Sequence, residues 1–256
     1  SCIRAFFQRP WAEPVAQLSE AASFYLLSCA AANLIYLGQI DEAIAPSIQS
    51  IQWFQTNERW MEAAATSGPL ISMLIAAGRL PDARREWDRV QLSVENANNA
   101  VFKAVATSIE AYLCFLEGDQ ATAGKLFHDA ELVLNREAPG CEILCPTISA
   151  YYCKYLLDTG ATQKALERAL QTMEWRRNKS WQVAVDTTSL YVSDLLMLGL
   201  AYLVLGNLDD ASHYLNKQVE LLKAANEWLY LPTGLIARSR LFMARGESES
   251  AQRDLG

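Results

Sequence analysis

LGQIDEA at residues 37–43 returns as LGNLDDA at 205–211, and four more segments align with both on a glycine: AGRLPDA at 77–83, EGDQATA at 117–123, TGATQKA at 159–165 and RGESESA at 245–251. The glycines are Gly38, Gly78, Gly118, Gly160, Gly206 and Gly246, spaced 40, 40, 42, 46 and 40 residues apart. Five residues after each stands an alanine: Ala43, Ala83, Ala123, Ala165, Ala211 and Ala251. Seven residues before each stand Ala31, Ile71, Ala111, Cys153, Gly199 and Ser239, five of them small. Four residues before each stand Leu34, Leu74, Cys114, Leu156, Tyr202 and Phe242, all core types. A fixed period of this size marks a repeat architecture, in which each unit buries its apolar face against its neighbours.

The spacing carries its own physics. A run of about 18 residues with helical apolar periodicity precedes each glycine, and a second amphipathic stretch follows. The positions seven and four before the glycine are three apart, so they share one helix face. Glycine ends the first helix because a left-handed residue is needed there. The small alanine lets the second helix press against the first, where a larger side chain would overpack by roughly 1–3 kcal/mol. Asp41, Asp82, Asp209 and Ser248 are expected to cap the second helices. The expected fold is all-α: a right-handed superhelical α-solenoid of about six helical hairpins, one domain over 1–256, with units near 19–57, 59–96, 98–136, 145–178, 183–225 and 229–256. A linker at 137–144 and a joint near 178–182 are the sizeable irregular segments. The chain opens Ser1-Cys2-Ile3 without methionine and its last hairpin is short, so it is expected to be a fragment of a longer protein.

Composition narrows the class. Hydrophobic residues make up 51% of the 256 and charged residues 20%, enough apolar matter for a large core. Thirty-seven alanines against 12 glycines and 8 prolines favour helices over a turn-rich sandwich or barrel. The 22 Lys and Arg against 29 Asp and Glu leave a net charge of −7, which disfavours nucleic acid and anionic membranes as partners. The apolar run at 21–38 is broken by Ser23, Ser28 and Asn33. The run at 195–206 falls short of the roughly 20 residues a spanning helix needs. Cys2, Cys29, Cys114, Cys141, Cys145 and Cys153 are expected to be reduced thiols of a cytoplasmic protein.

The order small residue, bulky residue, glycine, alanine resembles the tetratricopeptide (TPR) helical hairpin, although units of 40–46 residues exceed that family's 34. The helices are accordingly expected to be longer, about 17 residues or roughly 25 Å. Phrases along the whole chain resemble a narrower group, the long TPR arrays on the C-terminal side of bacterial STAND-type signalling NTPases, often with a NACHT module. They are FFQRPWAEPVAQLSEA at 6–21, LGQIDEAIAPS at 37–47, RALQTMEWRRNKSWQVAVD at 168–186 and LPTGLIARSRLFMARGESESAQRDL at 231–255. The resemblance implies a sensor that holds the NTPase inactive until a ligand or partner binds. It implies a non-catalytic interaction module whose partners are a protein or peptide and the other domains of its parent chain. Two other readings stay open: a free-standing TPR scaffold or adaptor, and the small-molecule-sensing array of a STAND-type transcription activator.

Candidate chemistry is sparse. GDQATAGK at 118–125 has five residues between its glycine and Gly124, and leucine after Lys125, so it departs from a P-loop and reads as the third repeat's turn. His128 and His213 stand on second helices of different units without ligand-spaced partners. Cys141, Cys145 and Cys153 lack a fourth metal ligand. No cofactor, metal or catalytic residue is expected. Trp175 to Trp181 combines bases and aromatics at a helix end, where cations complement the dipole, and Arg84 and Arg85 are read the same way. In TPR geometry the first helices line a concave groove. Its candidate binding residues are Tyr25, Tyr36, Tyr112, Phe115, Lys154 and Arg240, with Ser28, Ala32, Ser72, Ser108, Leu200 and Met243 beside them. Such a groove, apolar and dotted with aromatics, suits an apolar or mixed peptide segment.

Overall fold

Each of the six repeat glycines is left-handed, with φ between 70° and 96°. The computed structural model describes residues 2–137, 146–177 and 188–256, and among them twelve α-helices follow one another. They are α1 Glu20–Tyr36, α2 Ile40–Thr56, α3 Trp60–Ala76, α4 Leu80–Asn96, α5 Ala100–Leu116, α6 Gln120–Glu137, α7 Pro146–Asp158, α8 Thr162–Arg177, α9 Thr188–Val204, α10 Leu208–Ala225, α11 Leu231–Ala244 and α12 Ser248–Leu255. The odd-numbered helices are the first of each hairpin and the even-numbered ones the second. The result is an all-α, TPR-like solenoid. Ahead of it, a 3₁₀ turn at Cys2–Phe6 leads into a two-stranded antiparallel ribbon, β1 Phe7–Arg9 with β2 Glu13–Pro14, that the repeat pattern does not foreshadow.

The glycine turn closes by two backbone hydrogen bonds. Gly38 N–H donates to the Ile35 carbonyl at 3.0 Å and Gln39 N–H to the Leu34 carbonyl at 2.9 Å. This is a Schellman closure, and it recurs at the other five glycines. The carbonyls that accept the longer-range bond belong to Leu34, Leu74, Cys114, Leu156, Tyr202 and Phe242. The bulky position of the repeat is thus also the residue that fastens the turn.

Left-handed residues also stand between units, where the sequence carries no glycine: Glu58 at φ 56°, Asn98 at 44° and Asn226 at 55°. Asparagine tolerates this region by bonding its own backbone. Glu58 does not have that advantage, but its turn closes in the same way, with Arg59 N–H on the Phe54 carbonyl at 2.8 Å. Helices α1 to α5 are each 17 residues long and joined by three-residue turns.

The second helices start one to three residues earlier than Asp41, Asp82, Asp209 and Ser248 suggest: their cap positions are Gln39, Arg79, Asn207 and Glu247. Asp119 and Asn207 directly follow their glycines and cap the helix, accepting the Thr122 and Asp210 N–H at 3.0 and 3.3 Å. Asp41, Asp82, Asp209 and Ser248 are not caps: they lie inside the first turn, where the three carboxylates meet the positive end of the helix dipole. The alanines five residues after the glycines are 0–2% exposed, so no larger side chain fits there.

Successive first helices touch one another: α1 with α3, α3 with α5, α5 with α7, α7 with α9 and α9 with α11. Successive second helices make no comparable contact among the described residues. The first helices therefore form the tighter, concave layer and the second helices the outer one. One apolar core spans units one to three and another spans units four to six. Helix α7 serves both, with Tyr151, Tyr152 and Tyr155 on the first and Cys153 in the second. No helix among the described residues is long and apolar enough to cross a membrane.

Candidate functional site on the concave face

Two groups of aromatic side chains mark the first four units of the concave layer. At the start of the stack, the Tyr25 hydroxyl donates to Glu62 Oε1 at 3.2 Å, and the Arg59 guanidinium lies 5.1 Å from the centre of the Tyr25 ring. Glu62 is held below its ordinary pKa by hydrogen bonds and by Arg59, which outweigh the burial that would raise it. Beside them Ser28 and Thr66 share a hydrogen bond of 3.3 Å.

The second group lies further along. Tyr112 of α5 stacks on Tyr151 of α7, ring centres 4.3 Å apart and planes 8° from parallel. Phe115 meets Tyr155 edge-on at 5.5 Å. Ser72 of α3 faces the Tyr151 hydroxyl. Tyr230, in the connection between α10 and α11, is close enough to feel the hydroxyls of both Tyr151 and Tyr36. Burial pushes the Tyr151 phenol up to about 12 and raises Tyr112 and Tyr230 as well. These groups stay neutral near pH 7, so the surface offers rings and hydroxyls rather than charge.

The structure thus gathers Tyr112 and Phe115 with Tyr151 and Tyr155, and Tyr230 packs on the same core, while Tyr36 is exposed at the end of α1. Tyr25 belongs to the separate Arg59–Glu62 cluster. Lys154 is paired with Asp158 of its own helix, and Arg240 is exposed. Ser108 is fully buried with its hydroxyl on the Ala104 carbonyl, which makes it a packing residue and not a groove contact. Leu200 is half-buried, and Met243 is 60% exposed. Tyr151 and Tyr230 were not singled out by the repeat pattern. Tyr151 stands nine residues before Gly160, outside the positions the repeat aligns, and Tyr230 lies between helices.

The other motifs fall elsewhere. Gly118 is a left-handed turn after a helix, and Asp119 caps the next one. His128 and His213 are exposed on the outer layer. Arg84 lies near the start of α4, not at a helix C-terminus: it grips Glu117 of the next unit through two hydrogen bonds, while Arg85 pairs with Asp82. Cys153 is 1% exposed and burial pushes its thiol up to about 12, so it is a neutral packing group. Cys141, Cys145, residues 178–187 and the side chains of 175–177 lie outside what is described. Among the described residues no three His, Cys, Asp or Glu side chains are grouped to hold a metal ion.

No family model and no curated protein matches the chain. Solved structures do. BtubC (BKLC) from P. vanneervenii superposes with a TM-score of 0.57 at 13% identity, over 84% of this chain and 88% of that one. The apo form of RapI is similar over 93% of this chain and 65% of its own, at 13% identity and a TM-score of 0.47. The likeness to BtubC runs along most of both molecules and bears on the fold.

Proposed function

We propose that this array is a non-catalytic sensor module whose concave layer receives a segment of a partner protein and passes its occupancy to a linked signalling NTPase. The observation that carries the reading is the gathering of Tyr112 and Phe115 with Tyr151 and Tyr155, from two adjacent first helices, in the concave layer. Units in such a stack are held mainly by their neighbours, so a ligand that bridges several first helices changes the curvature of the whole. Neutral rings and hydroxyls suit an aromatic or aliphatic peptide segment better than an acidic tail. The link to an NTPase rests on the resemblance of the phrases at 6–21, 37–47, 168–186 and 231–255 to STAND-type arrays.

The test has two parts. The reading frame around this segment is expected to encode a strand-flanked Gly-x-x-x-x-Gly-Lys-Ser/Thr upstream, and deleting residues 20–255 is expected to raise basal nucleotide hydrolysis. A frame without a nucleotide-binding module, or hydrolysis indifferent to the deletion, overturns the NTPase link. A photo-crosslinking residue at Tyr112 should capture the partner, while the same residue at exposed His128 on the outer layer should not. Equal capture at both positions would overturn the concave face as the binding surface.

A further inference from the structure

We propose that the connection Glu227–Tyr230 is a resident stopper of the concave surface: it occupies the place of the partner segment, and a partner displaces it. The proposal rests on the concave face being the binding surface, and it adds what guards that face.

The contact joins the two ends of the array. A Cβ built on Gly38, at the end of α1, would lie 3.3 Å from the Cβ of Trp228 and 3.5 Å from the Leu229 backbone nitrogen. Leu229 is 8% exposed and belongs to the core of units one to three, together with Leu34 and Ile35. Tyr230 packs both on that core and on the cluster of Val192, Val219 and Leu231. Contacts in a solenoid run between neighbours, so a contact between unit one and the α10–α11 connection is an addition to the architecture. It ties the first unit directly to the junction of the fifth and sixth.

The segment is held at both ends and carries an unmet buried polar atom between them. Left-handed Asn226 ends α10, Glu227 N–H bonds the Leu222 carbonyl at 3.0 Å, and α11 begins at Leu231. Between these points the Oε2 of Glu227 is buried without a hydrogen-bond partner. An unmet buried acceptor costs stability, so the segment is docked less firmly than its apolar contacts alone would make it. Its chemistry defines the competitor: a short peptide with an aliphatic side chain followed by an aromatic one, as in Leu229-Tyr230, the Trp228 ring beside them being half exposed.

The chain's own segment is the probe. A synthetic peptide of residues 225–232, ANEWLYLP, is titrated into the wild-type array and into Trp228→Ser/Leu229→Ser/Tyr230→Ser, with helicity checked by circular dichroism. Binding at least tenfold tighter to the variant is expected, with a radius of gyration that rises on substitution and falls back when peptide is added. Equal binding to both proteins, or no binding to a folded variant, overturns the stopper. Should the triple variant fail to fold, Leu229→Ala alone carries the same comparison. No external partner enters this test, so a failure here alongside selective capture at Tyr112 sinks the stopper and spares the binding surface.

Discussion

Leu215 of α10 fills the space that a side chain on Gly199 of α9 would need. A Cβ on Gly199 would lie 2.5 Å from Leu215 Cγ and 2.6 Å from Cδ2. Gly199 is the small residue seven places before Gly206, and Leu215 is fully buried. Replacing a helical glycine by alanine ordinarily gains about 0.5–1 kcal/mol. Here the methyl meets the branch point of a packed leucine, and overpacking of about 1–3 kcal/mol outweighs that gain. Gly199→Ala is expected to lower the thermal midpoint by about 2–4 °C in a chain of this size. A midpoint that stays or rises would show that α9 and α10 can part at no cost.

Gly206 is constrained in the opposite way. No atom lies within 4 Å of where its Cβ would be, yet its φ is 78°. Only the backbone resists a side chain there. Gly206→Val is expected to lower the midpoint by several degrees, from a cost of about 1–2 kcal/mol for a β-branched residue in the left-handed region. Gly206→Asn should lose less than half as much, as Asn98 and Asn226 occupy the same region in the wild type. Equal losses for Val and Asn, read by thermal circular dichroism, would mean that the turn conformation is not what the glycine supplies.

These two glycines show why the architecture is legible in the sequence and the site is not. Gly206 must take a conformation that few residues accept, and Ala211 must be small, so both leave a mark at a fixed period. The turns between units leave none, because Glu58 and Asn98 reach the left-handed region without glycine. Asp41 and Asp82 read as caps because they stand only two and three positions after the cap residues Gln39 and Arg79, less than periodicity resolves. On the concave face, Tyr36 and Tyr112 could be named from helix position alone. Their company could not: Tyr151 stands outside the positions the repeat aligns, and Tyr230 comes from the α10–α11 connection through a contact that no nearest-neighbour pattern encodes.

Arg168 of α8 joins units three and four beside a pair of stacked aromatic side chains. Its guanidinium is paired with Glu131 of α6 and lies 4.4 Å from the centre of the Tyr152 ring, itself stacked on Phe127 at 4.6 Å. The Arg168 and Glu131 side chains are 12% and 21% exposed, so little water screens the pair. Arg168→Met leaves Glu131 without its partner and is expected to cost about 2–4 kcal/mol in urea unfolding. Arg168→Lys keeps the charge but loses the planar stacking, and should recover about half. If Arg168→Met unfolds at the wild-type midpoint, the pair contributes nothing and the aromatic stack alone joins the two units.

Glu227 makes stability depend on pH in a direction that can be worked out. Burial raises its carboxyl pKa above the ordinary value, so the folded chain binds the proton more tightly than the unfolded one. The stability gained from the neutral carboxyl is complete below the ordinary pKa of 4.5 and is lost as pH rises through the folded-state value. Tyr230 beside it stays neutral throughout this range, since burial raises its pKa too. Glu227→Gln keeps a neutral side chain of the same shape at every pH. The variant and the wild type are expected to melt together at pH 4. At pH 7 the variant should melt higher by about 1–3 °C, a small margin because water still screens part of the carboxylate. Midpoints that keep the same separation from pH 4 to pH 7 would show that the Glu227 carboxyl is hydrated and that the stopper holds no buried charge.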